Sequence, residues 1–229
     1  MVKNFQPPHI ARIENVQEVL LFGFADLDFW RARLKSENLL PYDADGAAQI
    51  LISATRFIWS GLPVRELVIS LAVCQHAGEN VPSAVYLIQA FNSSRVLAFA
   101  ERAFFQTPYA WGRTEMDTSI PTSIRFEDGM GAMFRAQMAN APARLRGADE
   151  LLEGAIYLPH SNNVFYARLG GYTEAYPVAA GTDTIEMRAS HRTRVFDWLA
   201  ESRFAPREWR IRKNATHARS KTYARADLV

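Results

Sequence analysis

The chain of 229 residues contains little cysteine and little lysine. Its single cysteine, Cys74, excludes an intrachain disulfide and any metal site built on a cysteine cluster. One unpaired thiol fits a reducing compartment, so we expect a cytoplasmic protein. Arginine outnumbers lysine by 22 to four, and few amines are therefore available for covalent chemistry. The lysines are Lys3, Lys35, Lys213 and Lys221.

Long apolar runs and ligand-binding motifs are missing as well. No segment approaches the ~20 apolar residues of a membrane span, and the first residues have no signal-peptide pattern, so we expect no membrane partner. A net charge of +2 gives no reason to expect a nucleic-acid partner. Metal-ligand spacings, a glycine-rich phosphate loop and a Gly-x-Ser-x-Gly motif are absent, and we expect no metal and no cofactor.

The residues that are present predict one globular domain spanning 1–229. Hydrophobic residues make up 48% of the chain and aromatic residues 12%, which is enough to form a cooperative core. Segments rich in β-branched residues dominate, and the sequence predicts a mainly β, α+β fold: an antiparallel sheet or barrel with two or three helices. The predicted strands include Ala47–Trp59, Glu66–Cys74, Ala84–Phe91, Gly154–Leu158, Val164–Leu169, Thr184–Ala189 and Trp209–Lys213.

Three helices and one hairpin complete this prediction. Asp26 can cap a first helix that ends before Leu39-Leu40-Pro41, and a short third helix is predicted over Val195–Arg203. Between them, Asn92 is the expected cap of a helix that runs to about Gln106. Its predicted buried side consists of Val96, Leu97, Ala100, Ala103 and Phe104. A hairpin over Ile124–Met138 is predicted to turn tightly at Asp128-Gly129.

The strand that begins at Glu66 has two different faces. Leu67, Ile69, Leu71 and Val73 share one face, because successive side chains of a strand point to opposite sides. Glu66 lies on the other face with small residues. This pattern fits a strand that lines a cavity, and spacing alone fits a solvent-facing strand equally well.

Two segments resemble the active-site framework of the acetoacetate decarboxylase superfamily. They are Val64-Arg65-Glu66 and, about forty residues later, Thr107-Pro108-Tyr109-Ala110. The segment Ala215-Thr216-His217 is similar to the closing strand of that family, which carries a histidine. The Pro108-Tyr109 step also resembles an uncharacterised sister family of the same fold. The resemblance implies a cone-shaped antiparallel β-barrel that encloses a small apolar pocket, in a protein that forms homo-oligomers.

The resemblance breaks down at the family's nucleophile. The family's proline is followed by two lysines, one of which forms a Schiff base with a β-keto acid, whereas Tyr109 and Ala110 stand here. Phe24 replaces the family's arginine near the end of the first strand. The resemblance therefore implies the scaffold without acetoacetate decarboxylation by the Schiff-base route.

Two hypotheses follow for the function of the protein, and in both of them its partner is a small molecule. In the first, the protein is an enzyme, a lyase, hydratase, isomerase or cyclase that acts on a small or medium carbonyl compound, possibly resembling a polyketide or terpenoid. Its catalytic candidates are Glu66, Tyr109 and His217, and its substrate-binding candidates are Tyr86, Arg102 and Trp111. In the second, the pocket only binds a ligand. The structural alternative for each candidate is an ordinary ion pair or a core position.

Overall fold

The structure, a computed structural model, describes residues 7–74, 76, 79 and 81–225. Strands dominate it, as predicted. They are β1 His9–Asp26, β2 Leu40–Pro41, β3 Asp43–Ala44, β4 Ala47–Trp59, β5 Leu62–Cys74, β6 Ala84–Asn92, β7 Tyr109–Trp111, β8 Arg113–Asp117, β9 Ser123–Glu127, β10 Met133–Gln137, β11 Arg146–Tyr157, β12 Asn163–Pro177, β13 Thr184–Arg188, β14 Ala205–Ser220 and β15 Tyr223–Ala224. The helices are α1 Leu27–Leu34, α2 Arg95–Phe105 and α3 Val195–Glu201.

Seven strands close into a barrel. The strands β5, β4, β1, β14, β12, β11 and β6 are hydrogen-bonded neighbours in that order, and pairing of β5 with β6 completes the ring. Most neighbours are antiparallel, whereas β11 runs parallel to β6. Closure pairs the backbone N–H and C=O groups that the edge strands of an open sheet would leave exposed. The mainly β, α+β fold with three helices is therefore confirmed.

The outer surface of the barrel is covered by a second sheet. The strands β13, β10, β9 and β8 form this four-stranded antiparallel sheet, and α3 packs in the same layer. Phe91 of the barrel contacts Phe126 of the sheet at a ring-centroid distance of 4.3 Å, and Phe126 lies 5.6 Å from Phe196 of α3. The main hydrophobic core thus lies outside the barrel, between two layers.

The alternation predicted for β5 is confirmed. Leu67, Ile69 and Leu71 are completely buried in the outer core. Val64 and Val68 belong to two smaller apolar clusters on the opposite face, inside the barrel. Glu66 lies between them on this inner face, so the solvent-facing alternative is wrong.

Helix α2 begins later than predicted and faces the other way. Ser94 is its N-cap and accepts a bond from the Leu97 amide, because Asn92 is the last residue of β6. Ala98 is the buried residue of the helix, and Leu97 contacts an inner cluster. Val96, Ala103 and Phe104 are exposed instead of buried, so the predicted buried side was wrong.

The Asp128-Gly129 turn also differs from the prediction. Glu127 pairs with Met133, which leaves a five-residue connection in place of a two-residue turn. The Asp128 carboxylate shapes this loop by accepting bonds from the amides of Met130 and Ala132. Among the described residues, no helix is long and apolar enough to cross a membrane.

Candidate functional site

Four polar residues form a row across the inner face of the barrel. Glu18 of β1 pairs with Thr55 of β4, Thr55 pairs with Glu66 of β5, and Glu66 pairs with Asn92 of β6. Directly paired residues of neighbouring strands project from the same face of a sheet. Two carboxyl groups are therefore held inside the barrel with one threonine between them.

Glu66 is held by neutral groups. Asn92 Nδ2 donates a hydrogen bond of 2.9 Å to Glu66 Oε1, and the Tyr109 side chain lies close enough to influence the carboxyl group. Burial raises the pKa of Glu66 to about 7, and the negative charge of Glu101 adds to this rise. The hydrogen bond from Asn92, the Tyr109 side chain and the nearby His217 oppose the increase in pKa. Glu66 can therefore exchange a proton near neutral pH.

Tyr109 remains a neutral hydrogen-bond donor beside Glu66. It pairs with Ala90 across β6 and β7 and packs against the inner apolar cluster that contains Ala90 and Val68. Burial, followed by the charges of Glu66 and Glu101, raises its pKa well above the ordinary value. A phenol that stays protonated can donate to a carboxylate or to a substrate carbonyl.

An ion pair between α2 and β14 lies next to these two residues. Arg219 Nη1 donates to both oxygens of Glu101 at 2.9 Å, and Thr107 Oγ1 donates to Glu101 Oε2 at 3.0 Å. The Arg219 guanidinium also lies 4.9 and 4.4 Å from the ring centroids of Phe105 and Phe165. These contacts fix the inner side of α2 over the barrel interior.

Glu18 belongs to a second, ionised network. It accepts bonds from Ser53 Oγ at 2.7 Å and Arg212 Nη1 at 3.0 Å. Burial opposes its ionisation, yet His217, Arg212 and Ser53 together hold its pKa at about 2. Arg212 also donates to Glu150 Oε2 at 3.3 Å. Glu18 and Glu66 therefore have very different pKa values although they lie in one row. Enzymes commonly use two carboxyl groups with different pKa values for different acid–base roles.

His217 lies in the interior beside Glu18. Its Nε2 is 3.6 Å from Glu18 Oε2, which is too long for a hydrogen bond. The structure therefore brings all three catalytic candidates, Glu66, Tyr109 and His217, to one interior. Of these, Tyr109 and His217 both lower the pKa of Glu66.

The residues around Glu66 retain some accessible surface. Inside a closed barrel, the side chains of His217, Arg219 and Glu101 are still 17%, 20% and 21% exposed. Glu66 and Tyr109 are partly buried as well. These groups are therefore not completely sealed from solvent. The side chains gathered around Glu66 are largely charged or polar, and Val68 belongs to the inner apolar cluster beside them.

The three substrate-binding candidates lie elsewhere. Tyr86 is in the outer core, because a bulge in β6 opposite Ile69 and Ser70 reverses which side chains of this strand face inward. The Tyr86 hydroxyl donates a hydrogen bond of 3.3 Å to Glu37. Arg102 is exposed on α2. Trp111 pairs with Asn92, but its Nε1 donates to the Ser93 carbonyl. None of the three contacts Glu66 within the described part of the chain.

The described lysines lie on the outside. Lys35, Lys213 and Lys221 are all exposed, and Lys213 forms an ion pair with Glu174. Lys3 lies outside the described residues. Two grooves on the described surface, of about 220 and 180 Å³, are lined by residues of β12 and β14 and by residues of β8, β9 and β10. Both lie away from Glu66. In the same residues, no group of three or more His, Cys, Asp or Glu side chains could hold a metal.

Sequence reasoning missed several residues of the interior. Asn92 was assigned to a helix cap, and Glu18, Arg212 and Arg219 were not considered. Glu18 did carry a signal, since it is a charge directly before the apolar run Val19-Leu20-Leu21-Phe22, whereas Arg212 lies among the polar residues Arg210, Lys213 and Asn214. An ionisable residue that interrupts an apolar strand is expected to have a buried partner.

Solved structures share this architecture over nearly the whole chain. The first is described as an acetoacetate decarboxylase-like enzyme from Sphingomonas wittichii RW1, with a TM-score of 0.59, 11% identity and coverage of 93% of this chain and 92% of that one. The chain has the acetoacetate decarboxylase-like fold. An acetoacetate decarboxylase structure gives a TM-score of 0.58 at 12% identity, covering 96% of this chain and 89% of that one.

A second kind of protein shares the acetoacetate decarboxylase-like fold. The enduracididine biosynthesis enzyme MppR, with HEPES buffer bound, matches with a TM-score of 0.58 and 11% identity over 95% of this chain and 87% of that one. No protein-family model and no curated protein matches the sequence. The likeness to these structures therefore fixes the fold, and the chemistry has to be argued from the residues of the site.

Proposed function

We propose that the protein is an enzyme that transfers a proton next to the carbonyl group of a small or medium-sized substrate. Glu66 is the general acid–base in this proposal, and Tyr109 is the donor to the carbonyl oxygen. The observation that carries it is a partly buried carboxyl group on the inner face of a closed barrel, bonded by Asn92 and lying beside a phenol, in surroundings that raise its pKa to about 7. General acid–base catalysis is most effective when the pKa lies near the working pH.

The proposed step needs no covalent intermediate with the protein. Ionised Glu66 takes the proton from the carbon next to the carbonyl. The electrons of that C–H bond form a carbon–carbon double bond, and the π electrons of the carbonyl group move to the oxygen. The resulting enolate is stabilised by the hydrogen bond from Tyr109. Protonated Glu66 then returns the proton to the same or another carbon. Isomerase, lyase, hydratase and cyclase reactions can all begin with this step.

The surroundings of Glu66 support a substrate that carries little charge near the reacting carbon. Val68 and Leu169 are part of the inner apolar cluster against which Tyr109 packs. This wall would hold a hydrocarbon segment, as in a polyketide-like or terpenoid-like compound, and position it by shape. We also retain the proposal of a cytoplasmic homo-oligomer whose partner at this site is a small molecule.

Proton exchange tests the proposal without knowledge of the natural substrate. The protein is incubated with a panel of ketones and keto acids in D₂O, and loss of the proton signal next to the carbonyl is followed by NMR. We expect exchange that increases as the pH rises through about 7. The E66Q variant should lose about 100-fold or more of the rate.

Glu115 supplies a matched control, because it is an exposed glutamate on β8. E115Q should exchange at the wild-type rate, and an unchanged rate in E66Q would refute the role of Glu66. The second candidate function is non-catalytic ligand binding. The outward position of the described lysines favours it, since among the described residues the family's nucleophile has no counterpart near Glu66. Binding of a panel compound without any exchange would support that alternative.

A further inference from the structure

Two nitrogen atoms of Arg219 have no hydrogen-bond partner inside the barrel. Its Nε and Nη2 are buried and make no hydrogen bond to any residue that the structure describes. The third nitrogen, Nη1, donates to both oxygens of Glu101 at 2.9 Å. A guanidinium beside a carboxylate frequently forms two parallel bonds from two nitrogens, and unpaired buried N–H groups reduce stability. The ion pair with Glu101 therefore leaves one edge of the guanidinium unused.

This free edge is held in a fixed orientation. Thr107 Oγ1 donates to Glu101 Oε2 at 3.0 Å, which fixes the carboxylate that Arg219 Nη1 binds. The guanidinium also lies 4.9 Å from the ring centroid of Phe105 on α2 and 4.4 Å from that of Phe165 on β12. The Nε and Nη2 atoms form the planar fork with which arginine binds anionic oxygen atoms. Contacts from two elements therefore orient this fork before any ligand binds.

Arg219 lies beside the phenol of Tyr109. Phe165, on which the guanidinium packs, belongs to the inner apolar cluster against which Tyr109 also packs. Although burial and the charges of Glu66 and Glu101 raise the pKa of Tyr109, the charge of Arg219 opposes this rise and so favours negative charge at this position. In the proposed reaction, the negative charge moves from Glu66 to the substrate oxygen beside Tyr109. A fixed cation next to that oxygen would stabilise the charge as it develops.

We infer that Arg219 is a further catalytic residue, whose Nε and Nη2 donate hydrogen bonds to the negatively charged oxygen of the enolate. Tyr109 and Arg219 then share this oxygen as an oxyanion site. The inference rests on the proposed function, because the enolate forms only when Glu66 takes a proton from the substrate. Arg219 keeps its own protons throughout, since a guanidinium does not lose a proton in proteins. The group that the fork recognises is an anionic oxygen, and a substrate carboxylate is the other source of one.

Proton exchange of levulinate and of its uncharged methyl ester separates these two sources. R219K keeps a positive charge that can pair with Glu101 but lacks the planar fork, so it should keep the wild-type circular dichroism spectrum. With the methyl ester, R219K should lower the exchange rate at saturation by about 10-fold or more and leave KM within about threefold, because the enolate exists only after the proton is taken. An unchanged rate would overturn the inference. So would a loss confined to the KM of levulinate, since the fork would then bind the carboxylate.

Arg225 supplies a matched control. Its Nε and Nη2 are likewise buried without a hydrogen-bond partner among the described residues, and its guanidinium lies 4.5 Å from the Tyr157 ring centroid. However, its Nη1 donates to the Glu37 carbonyl at 2.7 Å, and Tyr157 packs against the outer core. R225K should therefore exchange at the wild-type rate. An equal loss of exchange in R225K and R219K would overturn the inference, because the effect would not depend on the position beside Tyr109.

Binding of para-nitrophenolate tests the oxyanion site without any turnover, because a phenolate resembles an enolate in shape and charge. The E66Q variant should bind this ion, and the double variant E66Q/R219K should bind it about 10-fold or more weakly. Binding of para-nitroanisole, which is uncharged, should be equal in the two variants. Phenolate binding that is absent, or equal in both, would overturn the inference. A wild-type protein that exchanges no protons, with phenolate binding that still depends on Arg219, would refute the role of Glu66 and leave the oxyanion site supported.

Discussion

Replacing Glu66 with glutamine should make the protein more stable at alkaline pH. Folding raises the pKa of Glu66 from 4.5 to about 7, so the native state binds this proton more tightly than the unfolded state. The stability that comes from this proton is complete below pH 4.5 and is lost as the pH rises through 7. A shift of this size corresponds to about 3 kcal/mol, of which about 2 kcal/mol should be lost between pH 5 and pH 8.5.

Urea denaturation at pH 5 and pH 8.5 measures this effect. Because glutamine cannot ionise, the free energy of unfolding of E66Q relative to wild type should increase by about 2 kcal/mol from the lower to the higher pH. Any effect of the substitution on stability that does not depend on pH cancels when the two pH values are compared. E115Q, which changes an exposed glutamate, should follow the wild-type pH dependence.

Glu18 should give the opposite result in the same assay, because its pKa is lowered on folding whereas that of Glu66 is raised. Its pKa is lowered to about 2, so its contribution to stability is present above pH 4.5 and is lost as the pH falls through 2. E18Q should therefore be destabilised at both pH values by about 3–5 kcal/mol, because Arg212 loses its buried partner. If E66Q and wild type have parallel pH profiles, Glu66 does not bind its proton as argued here.

Three further predictions concern neighbouring features. Y109F should raise the pKa of Glu66 further and move the proton-exchange profile to higher pH, as NMR would show, because the phenol favours the ionised carboxylate. Incubation with a keto acid and borohydride should leave the protein mass unchanged, and a stable stoichiometric adduct would contradict the absence of a Schiff base. G23A should cost about 1–3 kcal/mol in a denaturation experiment, because its Cβ would lie 2.4 Å from the Ala205 carbonyl oxygen. G154A, where the nearest atom is 3.6 Å away, should have little effect.

The fold could be predicted from local patterns along the strands. The alternation of Leu67, Ile69 and Leu71 against Glu66 placed that residue on the correct face, because the period of a strand is two residues in any context. Local patterns underestimated strand lengths: β14 extends over Ala205–Ser220, whereas the pattern alone predicted Trp209–Lys213 and only the family resemblance extended the strand toward the C-terminus. Polar residues inside the barrel interrupt the apolar pattern from which strands are recognised.

The candidate site was predicted only in part, for reasons of tertiary structure. Tyr86 lies on the outer face because of a bulge, and no sequence pattern showed where the extra residue of β6 would fall. The orientation of α2 depends on Glu101 and Arg219, which are more than a hundred residues apart in the chain. Hydrophobic periodicity predicted the helix and its apolar stripe correctly, but it could not show that an ion pair would turn that stripe to the outside.

The pKa of Glu66 is the quantity on which the functional proposal most directly depends. The ¹³C chemical shift of the glutamate side-chain carboxyl carbons can be followed by NMR from pH 4 to pH 9, with the Glu66 signal assigned as the one absent from E66Q. We predict that this signal titrates with a midpoint at about 7. A midpoint near 4.5, the ordinary value for glutamate, would contradict a buried acid–base group in the barrel and the chemistry proposed for it.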